Sequence, residues 1–180
     1  EAERMHKRAL ELDPTNAIHT GNYAIFLCDI RKDYDEAERM YKKALERDPN
    51  SANNSGNYAK LLLVLRRDQE ARILIAKTDV LLDSRSPVDA NLEITLYRLL
   101  CFASDHFDEN LAEAKRLLLH HKLRTPTWNY DALLARAAED NHPQLEWMRK
   151  LVAVANDRAD ISTLDGWDDW VRANPTTATP

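Results

Sequence analysis

Glycine is almost missing from this chain: Gly21, Gly56 and Gly166 are the only three in 180 residues. Sheets joined by tight hairpins, and loops that cradle phosphates, draw on glycine for positive φ and for close backbone approach. Its scarcity favours an all-helical reading, and no phosphate loop, Gly-x-Gly-x-x-Gly or Gly-x-Ser-x-Gly string occurs. Cysteine is equally sparse. Cys28 and Cys101 lie far apart in apolar runs, which excludes a disulfide scaffold and reads as two small hydrophobic side chains. Basic residues are outnumbered, 25 against 30 acidic, for a net charge of −5. The basic stripe of a nucleic-acid binder is therefore absent, and docking on anionic membranes is disfavoured. No apolar run approaches the ~18 residues needed to span a bilayer, and no signal-peptide pattern is visible. Cytoplasmic residence is the expectation. Apolar residues are nonetheless plentiful, at 44%, beside 31% charged, so the chain can bury a core and is not a disordered one.

What is present is a repeat. Residues 1–15 read EAERMHKRALELDPT and residues 36–50 read EAERMYKKALERDPN, identical at eleven of fifteen positions at an offset of 35. GNYA recurs at 21–24 and 56–59, and Ala17/Ala52, Leu27/Leu62, Arg31/Arg66 and Asp33/Asp68 share that offset. One residue is then lost, so that Glu70-Ala71-Arg72 echoes Glu36-Ala37-Glu38. A period of this size means stacked supersecondary units. Each unit reads as two helices, the first over Ala17–Arg31 and again Ala52–Arg66, the second over Asp35–Arg47 and again Gln69–Leu82. Asp13-Pro14 and Asp48-Pro49 are explicit helix stops, because proline disfavours helical geometry in the residue before it. Met40, Tyr41, Ala44 and Leu45 recur at helical spacing as one buried stripe.

These residues resemble the tetratricopeptide repeat family, in which a small residue of the first helix is followed by an Ala-x3-aromatic-x2-Ala-x4-Pro run in the second. Ala24 with Ala37, Tyr41, Ala44 and Pro49 fills the pattern, and Ala2, His6, Ala9 and Pro14 fill the second-helix half of a preceding unit. The next unit departs from it: Ala59 and Ala71 fit, but Ile75, Thr78 and Asp83 replace the aromatic, alanine and proline. The first complete unit also carries one extra residue near its inter-helix turn. The resemblance covers residues 1–82 and implies an α-solenoid of stacked antiparallel helix pairs.

Beyond it, residues 87–122 read as one more, divergent helix pair. Pro87 starts its first helix, lined by Leu92, Leu96, Leu99, Leu100 and Ala103. The turn is Ser104 to Asp108, and Leu111, Ala114, Leu117 and Leu118 line the second helix. The predicted organisation is a repeat domain over 1–122 (a partial unit 1–15, units 16–50 and 51–84, and 87–122), a helical cap over 123–173 and a disordered tail over 174–180. In the cap, Thr125-Pro126-Thr127 is a break, a helix follows over Tyr130–Glu139, and Pro143 sits at the first turn of the next helix, which carries Leu145, Met148, Leu151, Val152 and Ala155. A last segment spans Ser162–Arg172. Trp128, Trp147, Trp167 and Trp170 either close the exposed end of the solenoid or form an aromatic docking patch.

No catalytic set emerges, and the chain is not expected to be an enzyme or to bind a cofactor or metal. His120 and His121 are adjacent and so point to different helix faces, where a metal pair wants a spacing of three or four. Asp165, Asp168 and Asp169 lack the pattern of a calcium loop. The charged run Glu36, Glu38, Arg39, Lys42, Lys43 is a solvated face with supporting ion pairs. The resemblance to tetratricopeptide repeats implies instead that first helices line a concave groove, with Asn22 and Asn57 in it. An amide offers donors and an acceptor to an extended peptide; the other reading is that these asparagines bond neighbouring helices. Asn53, Lys60, Ile18 and Ile25 are further groove candidates, and Arg98 a second source of positive charge. Gly21 and Ile25 occupy slots where the subclass that clamps a C-terminal carboxylate places lysine and asparagine, which argues against that ligand. Glycine inside a helix costs about 1 kcal/mol, so Gly21 and Gly56 imply close approach of a neighbouring helix or a ligand backbone. The function expected is a module that binds a peptide or protein partner. The alternatives are the regulatory arm of a larger effector enzyme, with the chain a part of a longer protein, and a self-associating scaffold.

Overall fold

The computed structural model describes residues 1–82, 88–102, 106–119 and 128–167, and these residues contain helices and turns with no strand. The chain divides into two compact units, Glu1–Ser86 and Pro87–Pro180. This division falls before the divergent pair, whose first helix packs with helices of the segment expected to form a cap.

In the first unit, helix α1 (Ala2–Leu12) stops before Asp13-Pro14 and α3 (Tyr34–Arg47) stops before Asp48-Pro49, as the prolines dictate. Helices α2 (Ala17–Phe26) and α4 (Ala52–Val64) start at matching side-chain caps: Asn16 Oδ1 accepts from the His19 amide and Ser51 Oγ from the Asn54 amide. Asp33 caps α3 in the same way through the Glu36 amide. Each such cap contributes about 1 kcal/mol. Helix α5 (Asp68–Leu81) completes the second pair. Helix α2 packs on α3 and α4 on α5 as antiparallel hairpins, and α1 meets α2 just as α3 meets α4. Ala24, Ala37, Ala44, Ala59 and Ala71 are fully buried where the helices cross, with Tyr41 and Leu61 to Leu63 filling the spaces between. Small side chains at those points let helix axes approach, which is why alanine recurs there.

The extra residue of the first unit has a definite place. After Phe26 the helix widens into a π turn over Leu27–Arg31 and ends on Lys32 in the left-handed region (φ 56°). In the second unit α4 continues without widening and the left-handed residue is Arg66 (φ 58°). The Asp33 amide reaches back six residues to the Leu27 carbonyl, whereas the Arg67 amide reaches back five to Leu62. One inserted residue is thus absorbed inside the helix, upstream of where residue identity placed it. Asp33 and Asp68, which match at an offset of 35, consequently hold different positions: Asp33 is the N-cap of α3 and Asp68 the first residue of α5.

The second unit holds α6 (Val88–Cys101), α7 (Phe107–Leu119), α8 (Asp131–Glu139), α9 (Leu145–Ala155) and a single 3-10 turn over Ile161–Leu164. Leu92, Leu96, Leu99 and Leu100 on α6 and Leu111, Ala114, Leu117 and Leu118 on α7 are buried as their spacing predicts. Helix α6 also packs on α8 and α9. Pro143 precedes α9 by two residues and lies in the turn before it. His142 is the lock in that turn: its Nδ1 accepts the Gln144 amide, so Nε2 carries the proton and donates to the Leu99 carbonyl at 2.8 Å. Trp167 is fully buried, stacks on Trp147 with centroids 5.3 Å apart, and donates from Nε1 to Gln144 Oε1. Lys150 lies 4.1 Å from the Trp147 ring centre, and Trp128 meets Tyr130 edge-on. Three of the four tryptophans therefore belong to the packing of this unit. Trp170, Pro87, Ala103, the break at 125–127 and the tail at 174–180 lie outside the described residues, as does the expected continuation of the last segment past Trp167.

Candidate functional site

The expected groove residues of the first unit form register pairs on α2 and α4, two first helices that touch. Ile18 stands at the place of Asn53, Asn22 at that of Asn57, and Ile25 at that of Lys60. Ile18 is 68% exposed, Asn22 and Asn53 are exposed, and Ile25 and Asn57 are half-buried. Spaced four and three residues apart, each set follows one face of its helix. On α4 the Asn57 amide nitrogen donates to the Asn53 carbonyl at 3.0 Å and also to its side-chain oxygen. These two residues thus form a local pair in which both bonds use the Asn57 nitrogen and neither uses its Oδ1.

Lys60 differs from the expectation of a free positive charge. It is buried, and its Nζ sits 3.0 Å from Asp29 Oδ2, a residue of the π turn. The widened turn carries the carboxylate that neutralises the one lysine of the face. Arg98 belongs to α6 in the second unit, so the structure gives no common site for it with the others.

Gly21 is explained by packing. A methyl group added there would lie 2.0 Å from Asn54 Oδ1, and the buried Asn54 amide donates to the Ala17 carbonyl at 3.4 Å. The glycine admits a side chain from the neighbouring first helix, and Gly56 is likewise buried. The asparagine that bonds across helices is therefore Asn54, not Asn22 or Asn57. It escaped the sequence reading because its counterpart is His19, so no identity marks it.

A second group missed in the sequence is an ionic knot at the junction of α3, α4 and α5. Glu38 accepts from the Tyr58 hydroxyl at 2.7 Å, Lys42 at 2.8 Å and Arg67 at 2.7 Å, and Arg67 also pairs with Glu70. Burial would raise the Glu38 carboxyl, but the hydrogen bonds from Lys42, Arg67 and Tyr58 outweigh it and hold the group at about 2. The signal was available: Glu3, Lys7 and Tyr23 stand one repeat earlier, with Glu3 paired to Lys7 and Arg31. The knot is satisfied internally and offers nothing to a ligand.

Burial pushes the Cys28 thiol up to about 11, with Asp29 adding to it, which makes it a poor nucleophile. Both cysteines are free thiols. Among the described residues no three His, Cys, Asp or Glu side chains converge as a metal site would require. Asp165 is exposed, and His120, His121, Asp168 and Asp169 lie outside those residues. No described helix is long and apolar enough to cross a membrane.

Residues 30–79 match a family model described as tetratricopeptide repeat, a span that runs from the π turn through α3 and α4 into the last turn of α5. No curated protein and no solved structure matches the chain.

Proposed function

We propose, from the match of residues 30–79 to a tetratricopeptide repeat model, that this chain is a protein-interaction module of that kind, which takes an extended peptide along the exposed faces of α2 and α4. Repeats of this family generally mediate protein–protein interaction. The observation that carries the finer reading is the paired register of Ile18, Asn22 and Ile25 on one helix with Asn53 and Asn57 on the next, exposed or half-buried and bare of charge. Asn22 and Asn57 would grip the peptide backbone, and Ile18 and Ile25 would take apolar side chains between the grips. With Lys60 neutralised by Asp29, the face suits an uncharged segment over an acidic tail. The module supplies binding, and any chemistry would belong to its partner or to another domain.

The test is direct. The chain is screened against an array of extended peptides, and the best binder is titrated against Asn22→Ala combined with Asn57→Ala. Binding should weaken by about tenfold or more for two lost hydrogen bonds, while helicity and melting stay near the parent values. Unchanged affinity in the double variant would remove these asparagines from the function.

A further inference from the structure

One face of α5 breaks a pattern that α1 and α3 share. Aligned on Ala2 and Ala37, those two helices carry the same three charged residues, Arg4, Lys7 and Glu11 in one and Arg39, Lys42 and Glu46 in the other. All six are exposed. Helix α3 packs on α2 and on α4, so this is a side of the helix that neither neighbour covers. Aligned on Ala71, the same three places of α5 hold Ile73, Ala76 and Val80. They too are exposed, Ile73 at 69% and Val80 at 85%. Burial within the chain therefore does not account for the change from charge to hydrocarbon.

The strip has the spacing of a helix-pair seam. Gln69, Ile73, Ala76 and Val80 follow one another at four, three and four residues, the rhythm of helices that pack side by side. The charges beside it suit a copy of itself. Arg72 and Asp79 lie seven residues apart on one flank, Glu70 and Lys77 seven apart on the other, with opposite signs within each flank. In an antiparallel two-fold pair each flank meets the same flank of the partner. With Ile73 of one copy against Ala76 of the other, Arg72 comes beside the partner's Asp79 and Glu70 beside the partner's Lys77, and symmetry makes each contact twice. A parallel pair would instead set Arg72 beside the partner's Lys77, like charge against like.

We infer that α5 is a self-association surface, through which two copies of this chain pair antiparallel about a two-fold axis. Ala76 lets the two helix axes approach, and Ile73 and Val80 leave water as they do so. The strip is short, so the dimer is weak and forms with rising concentration. No residue of it belongs to α2 or α4, and the face proposed for peptide stays open in the dimer.

Sedimentation equilibrium of the whole chain at low ionic strength should show monomer passing into dimer as concentration rises. Arg72→Asp and Asp79→Arg each reverse two contacts at once, and each should raise the dimer dissociation constant by about tenfold or more. Mixing the two variants should bring the dimer back, because each supplies the sign that the other has lost. Thermal melts near that of the parent exclude misfolding as the reason for the loss. Ile73→Arg combined with Val80→Glu, which restores the residues of α3, should leave only monomer. A parent chain that stays monomeric up to about 1 mM overturns the inference. So does a dimer that ignores either charge reversal or survives the restored α3 residues, and so does a mixture that stays as dissociated as its components.

Discussion

Thr20 and Ser55 stand one repeat apart and have unlike surroundings. Thr20 donates to the Asn16 carbonyl at 2.8 Å and accepts from Arg47 of α3, whereas the Ser55 hydroxyl is buried with no partner, and Leu81 stands at the place of Arg47 in the next unit. Thr20→Ala should therefore lower stability by about 1 kcal/mol, and Ser55→Ala should be neutral or raise it by up to about 1 kcal/mol, because an orphaned buried hydroxyl is removed. Denaturant unfolding of both variants checks the contrast. Gly21 makes a companion case. Gly21→Ala gains helix propensity but drives a methyl group into Asn54 Oδ1, forcing the amide off the Ala17 carbonyl. The substitution should lower the melting temperature when Asn54 is present and raise it in an Asn54→Ala background, a coupling that a double-mutant cycle reads directly.

At the scale of elements, the π turn is a removable insertion. Deleting Ile30, an exposed residue within it, should let Leu27–Arg31 close as an ordinary α turn and leave a cooperative unfolding transition. Deleting Leu62 from α4, which has no spare residue, should rotate the buried Leu61 and Leu63 out of register and abolish cooperativity. Circular dichroism melts separate the two results. The Glu38 knot sets an acid dependence at the same scale. Because the folded protein holds this carboxyl near 2, below its ordinary 4.5, its stabilising effect is complete above pH 4.5 and is lost as pH falls from there toward 2. Glu38→Gln should flatten that part of the stability profile while changing little in its slope near neutral pH.

For the whole molecule, the two units should respond to acid in different windows. Burial holds the His142 ring below its ordinary 6.5, despite the opposing bond to the Leu99 carbonyl. Above that value neither the folded nor the unfolded state binds the proton. Below it the unfolded chain takes it first, so the unit containing α6 to α9 loses stability as pH drops under 6.5. All four tryptophans lie in that unit. Tryptophan fluorescence should therefore report destabilisation as pH falls below 6.5, with the slope reduced in His142→Gln, at a pH where the Glu38 knot still stands.

The period, the proline stops and the alanine stripes determined the helices of the first unit from sequence alone, because each is a local preference or a pattern repeated by identity. The buried faces of α6 and α7 were equally local. Tertiary structure decided the rest. It moved the extra residue into the interior of a helix, since a π turn leaves no mark in residue identity. It tied Lys60 to Asp29, a pairing across helices that no spacing along the chain reveals. It also joined residues 87–122 to the segment that follows them, because which helix covers which apolar face depends on three-dimensional packing, and the stripes of α6, α8 and α9 are chemically alike.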